Sequence, residues 1–235
     1  MQDFATLGYG LPIACLAAAA LGAGAAYLTA FASDVAETLP EDGVLLPEMA
    51  RTLIQGDMHK GGRFWTVLVA ALLCGLLPLL SSAAFPVLAA FIVLAVPASV
   101  MDIRLLIIPE EFTWSLLFLG ALLSPWNIGA EDAVLGAAVA SAVTWIAMTG
   151  MEYRTGLPMR SGGDIAAAAA GGAWVGFFAS GVFVFLACAI FMLYTLSSRS
   201  SNKDGWVPMG PALLAAIPLT PVLMPLVEAL AARAL

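Results

Sequence analysis

The sequence predicts an all-α, polytopic membrane helix bundle of about eight transmembrane helices. Three observations carry that expectation. Hydrophobic residues make up 62% of the chain and charged residues only 11%, against ~25% charged in ordinary soluble domains. The mean hydropathy is +0.98. Apolar runs near the ~20 residues that cross a bilayer recur along all 235 residues.

The first run, 6–31, begins after Met1-Gln-Asp3-Phe4, which carries no positive charge, so it reads as a retained span rather than a cleaved signal. A polar stretch rich in Asp, Glu, Pro and Gly follows over 32–63 and reads as a loop, with one short amphipathic helix near 45–54. The remaining runs are 64–81, 84–101, 112–128, 133–149, 164–179, 181–198 and 208–232. Only Ala179-Ser180-Gly181 parts the sixth from the seventh, yet 164–198 is too long for one pass, so a tight hairpin is expected. This divides the chain into a first span plus polar loop, 1–63, and a seven-span membrane core, 64–235.

Basic residues set the orientation. Arg51, Lys60, Arg63, Arg104, Arg154, Arg160, Arg199 and Lys203 fall in the loops after spans one, three, five and seven; Arg233 alone falls on the other side. Short loops rich in Lys and Arg stay cytoplasmic, so both termini are expected outside. The net charge of -7 argues against nucleic-acid binding, which needs a basic patch. Cys15, Cys74 and Cys188 lie in separate apolar runs and form neither a disulfide framework nor a metal pair. His59, with Asp57 as its one nearby co-ligand, reads as a solvated loop residue, so neither metal nor cofactor is expected.

Two acids stand out. Asp102 ends the third span and Asp164 begins the sixth, with two crossings between them, so both belong at the cytoplasmic membrane boundary. An acid beside a span is costly, and function is its default explanation when a partner is near. Two close carboxylates share one proton, which lets the pair draw a proton from water and hand one to a peptide carbonyl and leaving amine. The plainer reading makes each acid a helix cap at a positive dipole end.

Around them, Gly162 and Gly163 offer backbone freedom for a turn that approaches a substrate strand. Pro109 suits the first turn of span four. Glu110 and Glu111, in that same turn, complement the dipole. The small residues of Ala166–Ala170, Gly171, Gly172 and Gly176 permit close helix packing. Arg104, Arg154 and Arg160 ring the acids, as topology signals or as contacts to lipid phosphate or substrate, with Glu152 in a supporting position.

The segment from Asp102 to Ile108-Pro109-Glu110 resembles the Asp-x5-[Ile/Leu]-Pro-[Asp/Asn] motif of type IV prepilin peptidases. Ser161-Gly162-Gly163-Asp164, trailed by Gly172-Ala-Trp174-Val-Gly176, is similar to that family's Gly-x-Gly-Asp and Gly-Ala-Trp-Leu-Gly motifs. Pro208-Met-Gly-Pro211 resembles its Pro-Phe-Gly-Pro. The resemblance implies a multi-pass aspartyl peptidase of the bacterial inner (cytoplasmic) membrane. It would remove the positive leader of type IV prepilins or of secretion pseudopilins, with Asp102 and Asp164 as the catalytic pair and a substrate helix and lipids as partners. Ser161 replaces the motif's first Gly, and Ala166 stands where the family often has Lys. The cysteine-free 32–63 loop lacks the tetracysteine zinc insert associated with N-methylation, which leaves methyltransferase activity open. The rival class is a proton- or cation-coupled transporter using the same acids, and a third is a scaffold in which they only cap helices. Nothing in the sequence fixes the oligomeric state.

Overall fold

The computed structural model describes residues 7–38, 61–80, 85–127, 129–158, 161–197 and 207–234. Among these the protein is all-helical. The helices are α1 (Leu7–Thr38), α2 (Gly61–Leu80), α3 (Phe85–Leu105), α4 (Glu110–Leu123), α5 (Ala130–Thr155), α6 (Gly162–Val175), α7 (Phe177–Ser197) and α8 (Gly210–Ala234). The expected helix near 45–54, His59, Asp57, Arg160, Arg199 and Lys203 lie outside the described residues.

Stretches in α1, α3, α5, α7 and α8 are long and apolar enough to cross a membrane, and Thr66–Leu79 in α2 forms a shorter apolar helix. Their outward faces are apolar: Leu16, Leu72, Leu122, Phe178, Phe185 and Leu196 are all exposed. This is a multi-pass membrane bundle. Helices α4 and α6 have 14 residues each, about 21 Å at 1.5 Å per residue, against ~30 Å of hydrocarbon. Both are therefore shorter than the runs 112–128 and 164–179 from which they were expected.

Helix α6 is the centre. It packs against α4, α5, α7 and α8, and every residue from Ala170 to Val175 is buried. Small residues make this possible. A Cβ on Gly136 would stand 2.3 Å from the Gly172 carbonyl, and one on Gly172 2.2 Å from the Gly136 carbonyl, so α5 and α6 meet backbone to backbone. Trp174 is the largest fully buried side chain. Its indole N–H donates to the Leu116 carbonyl at 2.8 Å, and its ring meets Phe91 edge-on at 5.1 Å.

The break between the sixth and seventh helices falls at Gly176, three residues before the expected Ala179-Ser180-Gly181. Gly176 has φ 81°, a left-handed conformation costly to other residues. Its N–H donates to the Gly172 carbonyl at 2.9 Å, and Asp132 accepts the Phe177 N–H at 3.0 Å. Local chemistry thus turns the chain there, while Ser180 is absorbed into α7, donating to the Gly176 and Gly136 carbonyls.

The first helix also departs from its expected end at 31. It continues to Thr38, with the Thr29 and Ser33 hydroxyls folded back onto carbonyls four residues earlier. Asp34, on this extension, pairs with Arg104 at the end of α3.

Candidate active site

The up-and-down path places the end of α3 and the starts of α4, α6 and α8 at one end of the bundle. Asp102 lies in the last turn of α3 and is buried. Its Oδ2 accepts the Gly210 N–H at 2.7 Å, so the first turn of α8 closes over the carboxylate with its positive dipole end. Gly210 is required by space: a Cβ there would sit 2.8 Å from that same oxygen and 2.8 Å from Ile108 Cδ1.

Asp164 lies in the first turn of α6 and is half-buried. It is not the cap of that helix. Ser161 is, with its hydroxyl accepting the Asp164 N–H at 3.4 Å. The alternative in which Asp164 caps this helix is not what the structure has: Ser161 is the N-cap.

The expectation for Gly162 and Gly163 also changes. Both are helical residues in α6, and neither has a positive φ. What Gly163 provides is closeness, since a Cβ there would stand 3.2 Å from Ile108 Cβ and 3.3 Å from the Ile108 carbonyl oxygen. Gly162 faces open space.

Pro109 is the N-cap of α4 rather than a first-turn residue, extended at φ -64° and ψ 137°. Its carbonyl accepts the Phe112 and Thr113 N–H groups. This extended geometry follows a left-handed Leu106 (φ 55°) and drives Ile108 inward, buried between the other three helix ends.

The two acids are thus brought to one neighbourhood by contacts at the starts of α6 and α8. Gly210 touches Asp102, Ile108 touches Gly210 and Gly163, and Gly163 precedes Asp164. The starts of α4, α6 and α8 converge here, three positive dipole ends that offset two negative side chains. Arg104 is turned toward α1 by its ion pair with Asp34. Glu110 and Glu111 are exposed in the first turn of α4.

Sequence reasoning missed Gly210, Ile108 and Asp34. Pro208-Met-Gly-Pro211 was visible as a motif, but nothing local assigns its glycine to an acid 108 residues away. Among the described residues no three His, Cys, Asp or Glu side chains gather as a metal site.

Residues 87–196 match the profile of the type IV leader peptidase family, a span holding both acids and their flanking motifs. A prepilin leader peptidase/N-methyltransferase of Pectobacterium carotovorum subsp. carotovorum is 35% identical over 108 residues. The aligned stretch covers 45% of this chain and 39% of that relative. No solved structure matches. The motifs, the all-helical membrane bundle and these matches agree in likening residues 87–196 to the type IV leader peptidase family.

Proposed function

We propose that this protein is an intramembrane aspartyl endopeptidase that removes the positively charged leader of type IV prepilins or pseudopilins. The reaction runs at the cytoplasmic face of a bacterial inner membrane. Asp102 and Asp164 form the working pair. One carboxylate takes a proton from water as the water attacks the scissile carbonyl. The other, protonated, hydrogen-bonds to that carbonyl and donates its proton as the tetrahedral centre forms. The proton gained from water then passes to the leaving amine.

The observation that carries the reading is the convergence of both acids, through Gly210, Ile108 and Gly163, at one end of the bundle. The likeness of residues 87–196 to the type IV leader peptidase family supports the substrate class. A site at the bundle's end meets a substrate helix where it leaves lipid, whereas a transport site is expected near the midplane. The excess of Lys and Arg in the loops at that end supports a cytoplasmic location.

The test is cleavage of a purified prepilin in proteoliposomes. Wild-type protein is expected to release the leader. Asp102→Asn and Asp164→Asn are each expected to lower the rate by at least ~10³-fold, as loss of a proton-transferring group does. Intact substrate with wild-type protein, or near-normal rates in either Asn variant, overturns the proposal.

A further inference from the structure

Ile108 lies against Gly163, which precedes Asp164, and against Gly210, which binds Asp102. Its Cβ lies 3.2 Å from where a Gly163 Cβ would be, and its Cδ1 lies 2.8 Å from where a Gly210 Cβ would be. That second point is equally 2.8 Å from Asp102 Oδ2. The residue is 7% exposed, in a segment fixed on one side by the left-handed Leu106 and on the other by the Pro109 cap. Helices α3 and α6 meet where Phe91 packs on Trp174, 11 and 10 residues along the chain from Asp102 and Asp164. Beside the acids themselves, Ile108 is wedged between the starts of α6 and α8.

We propose that Ile108 is the spacer that sets the distance between the Asp102 and Asp164 carboxylates. This rests on the reading of those acids as a working pair. Two glycines press on it because a Cβ on either would displace it. A β-branched side chain suits the role, being stiff about χ1 and unable to fold out of the gap. A shorter residue lets the starts of α6 and α8 close on each other and brings the carboxylates nearer. A bulkier one drives them apart.

Distance between like charges controls how far apart their two protonation steps fall. That gives a readout which loss of packing alone does not move. The protein bearing Ala, Val, Ile or Phe at position 108 is titrated in detergent. The protonated-carboxyl infrared band is followed and assigned by difference against Asp102→Asn and Asp164→Asn. The other charged groups described at this end are Asp34, Arg104, Glu110, Glu111, Glu152 and Arg154. They are common to all variants and cancel in the difference.

The spacing between the two steps is expected to widen in the order Phe, Ile, Val, Ala, by on the order of one pH unit across the series. Gly163→Ala, pressing on the same contact from α6, is expected to behave like Ile108→Phe. Steps that stay fixed while thermal stability alone falls, or that change in the reverse order, overturn the spacer. The titration does not depend on cleavage, so its outcome is separate from the proteoliposome result. Where prepilin is cleaved, the pH window of activity is expected to broaden in the same order.

Discussion

Asp102 would be costly to bury alone: a charged carboxylate taken from water without partners loses several kcal/mol, so buried acids are paired or hydrogen-bonded. Here the compensation is a backbone N–H at the start of α8, 2.7 Å away, where the helix dipole adds to the hydrogen bond. Asp164 has a different arrangement, because Ser161 serves its helix end. That division makes a prediction about substitutions. Ser161→Ala should lower stability by about 1 kcal/mol, as loss of a helix cap does, seen as a lower melting temperature with the purified protein. Asp164→Glu keeps the charge and the dipole contact but moves the carboxyl by one methylene. It should retain stability and lose at least ~10²-fold in cleavage rate, the penalty of a misplaced proton-transfer group. Full cleavage by Asp164→Glu would mean that the acid is needed only as a charge. Both acids were legible in the sequence because charge at the edge of an apolar run is rare. Gly210 was not, because its function is an absence of side chain, and only the folded packing shows what that absence admits.

At the scale of elements, the bundle is organised by helices too small to stand apart. Gly136 and Gly172 abut, Gly171 accommodates Phe183, and Gly120 lies under the Trp174 ring. Two polar side chains finish the short helices. The Ser124 hydroxyl donates to the Trp174 carbonyl. Asn127 donates to the Gly120 and Ala173 carbonyls at 2.7 and 2.9 Å, so chain ends that stop short of the membrane's thickness keep their hydrogen bonds. Gly136→Ala should destabilise by about 2–3 kcal/mol, the upper range for overpacking, because the obstacle is backbone rather than a movable side chain. Gly176→Ala should cost about 1–3 kcal/mol through its left-handed φ and adds a collision with Asp132 2.1 Å from the new Cβ. Unfolding in detergent measures both, and values within about 0.5 kcal/mol of wild type would contradict the packing described. The small-residue stripe was readable from composition. The site of the α6–α7 break was not: Ala179-Ser180-Gly181 and Gly176 both look like breakers, and the choice is made by Asp132, 44 residues away in sequence. The length of α1 escaped for a similar reason, since Ser33 and Asp34 look like loop residues until Arg104 is placed beside them.

For the whole molecule, the eight helices among the described residues put the start of α1 and the end of α8 at the end opposite the acids. Of the described basic residues, Arg104 and Arg154 end α3 and α5 at the acid-bearing end, and Arg233 ends α8 at the other. If short basic loops stay in the cytoplasm, the two acids lie on the cytoplasmic side and the end of α8 faces outward. A reporter joined after Leu235 tests this directly. Alkaline phosphatase, which folds only after export, should be active there, and green fluorescent protein dark. The same two reporters joined after Thr155, in the connection between α5 and α6 beside Asp164, should give the opposite pattern. Cytoplasmic fluorescence from the Leu235 fusion would invert the molecule. It would then place both carboxylates outside, where a positively charged leader retained in the cytoplasm never reaches them.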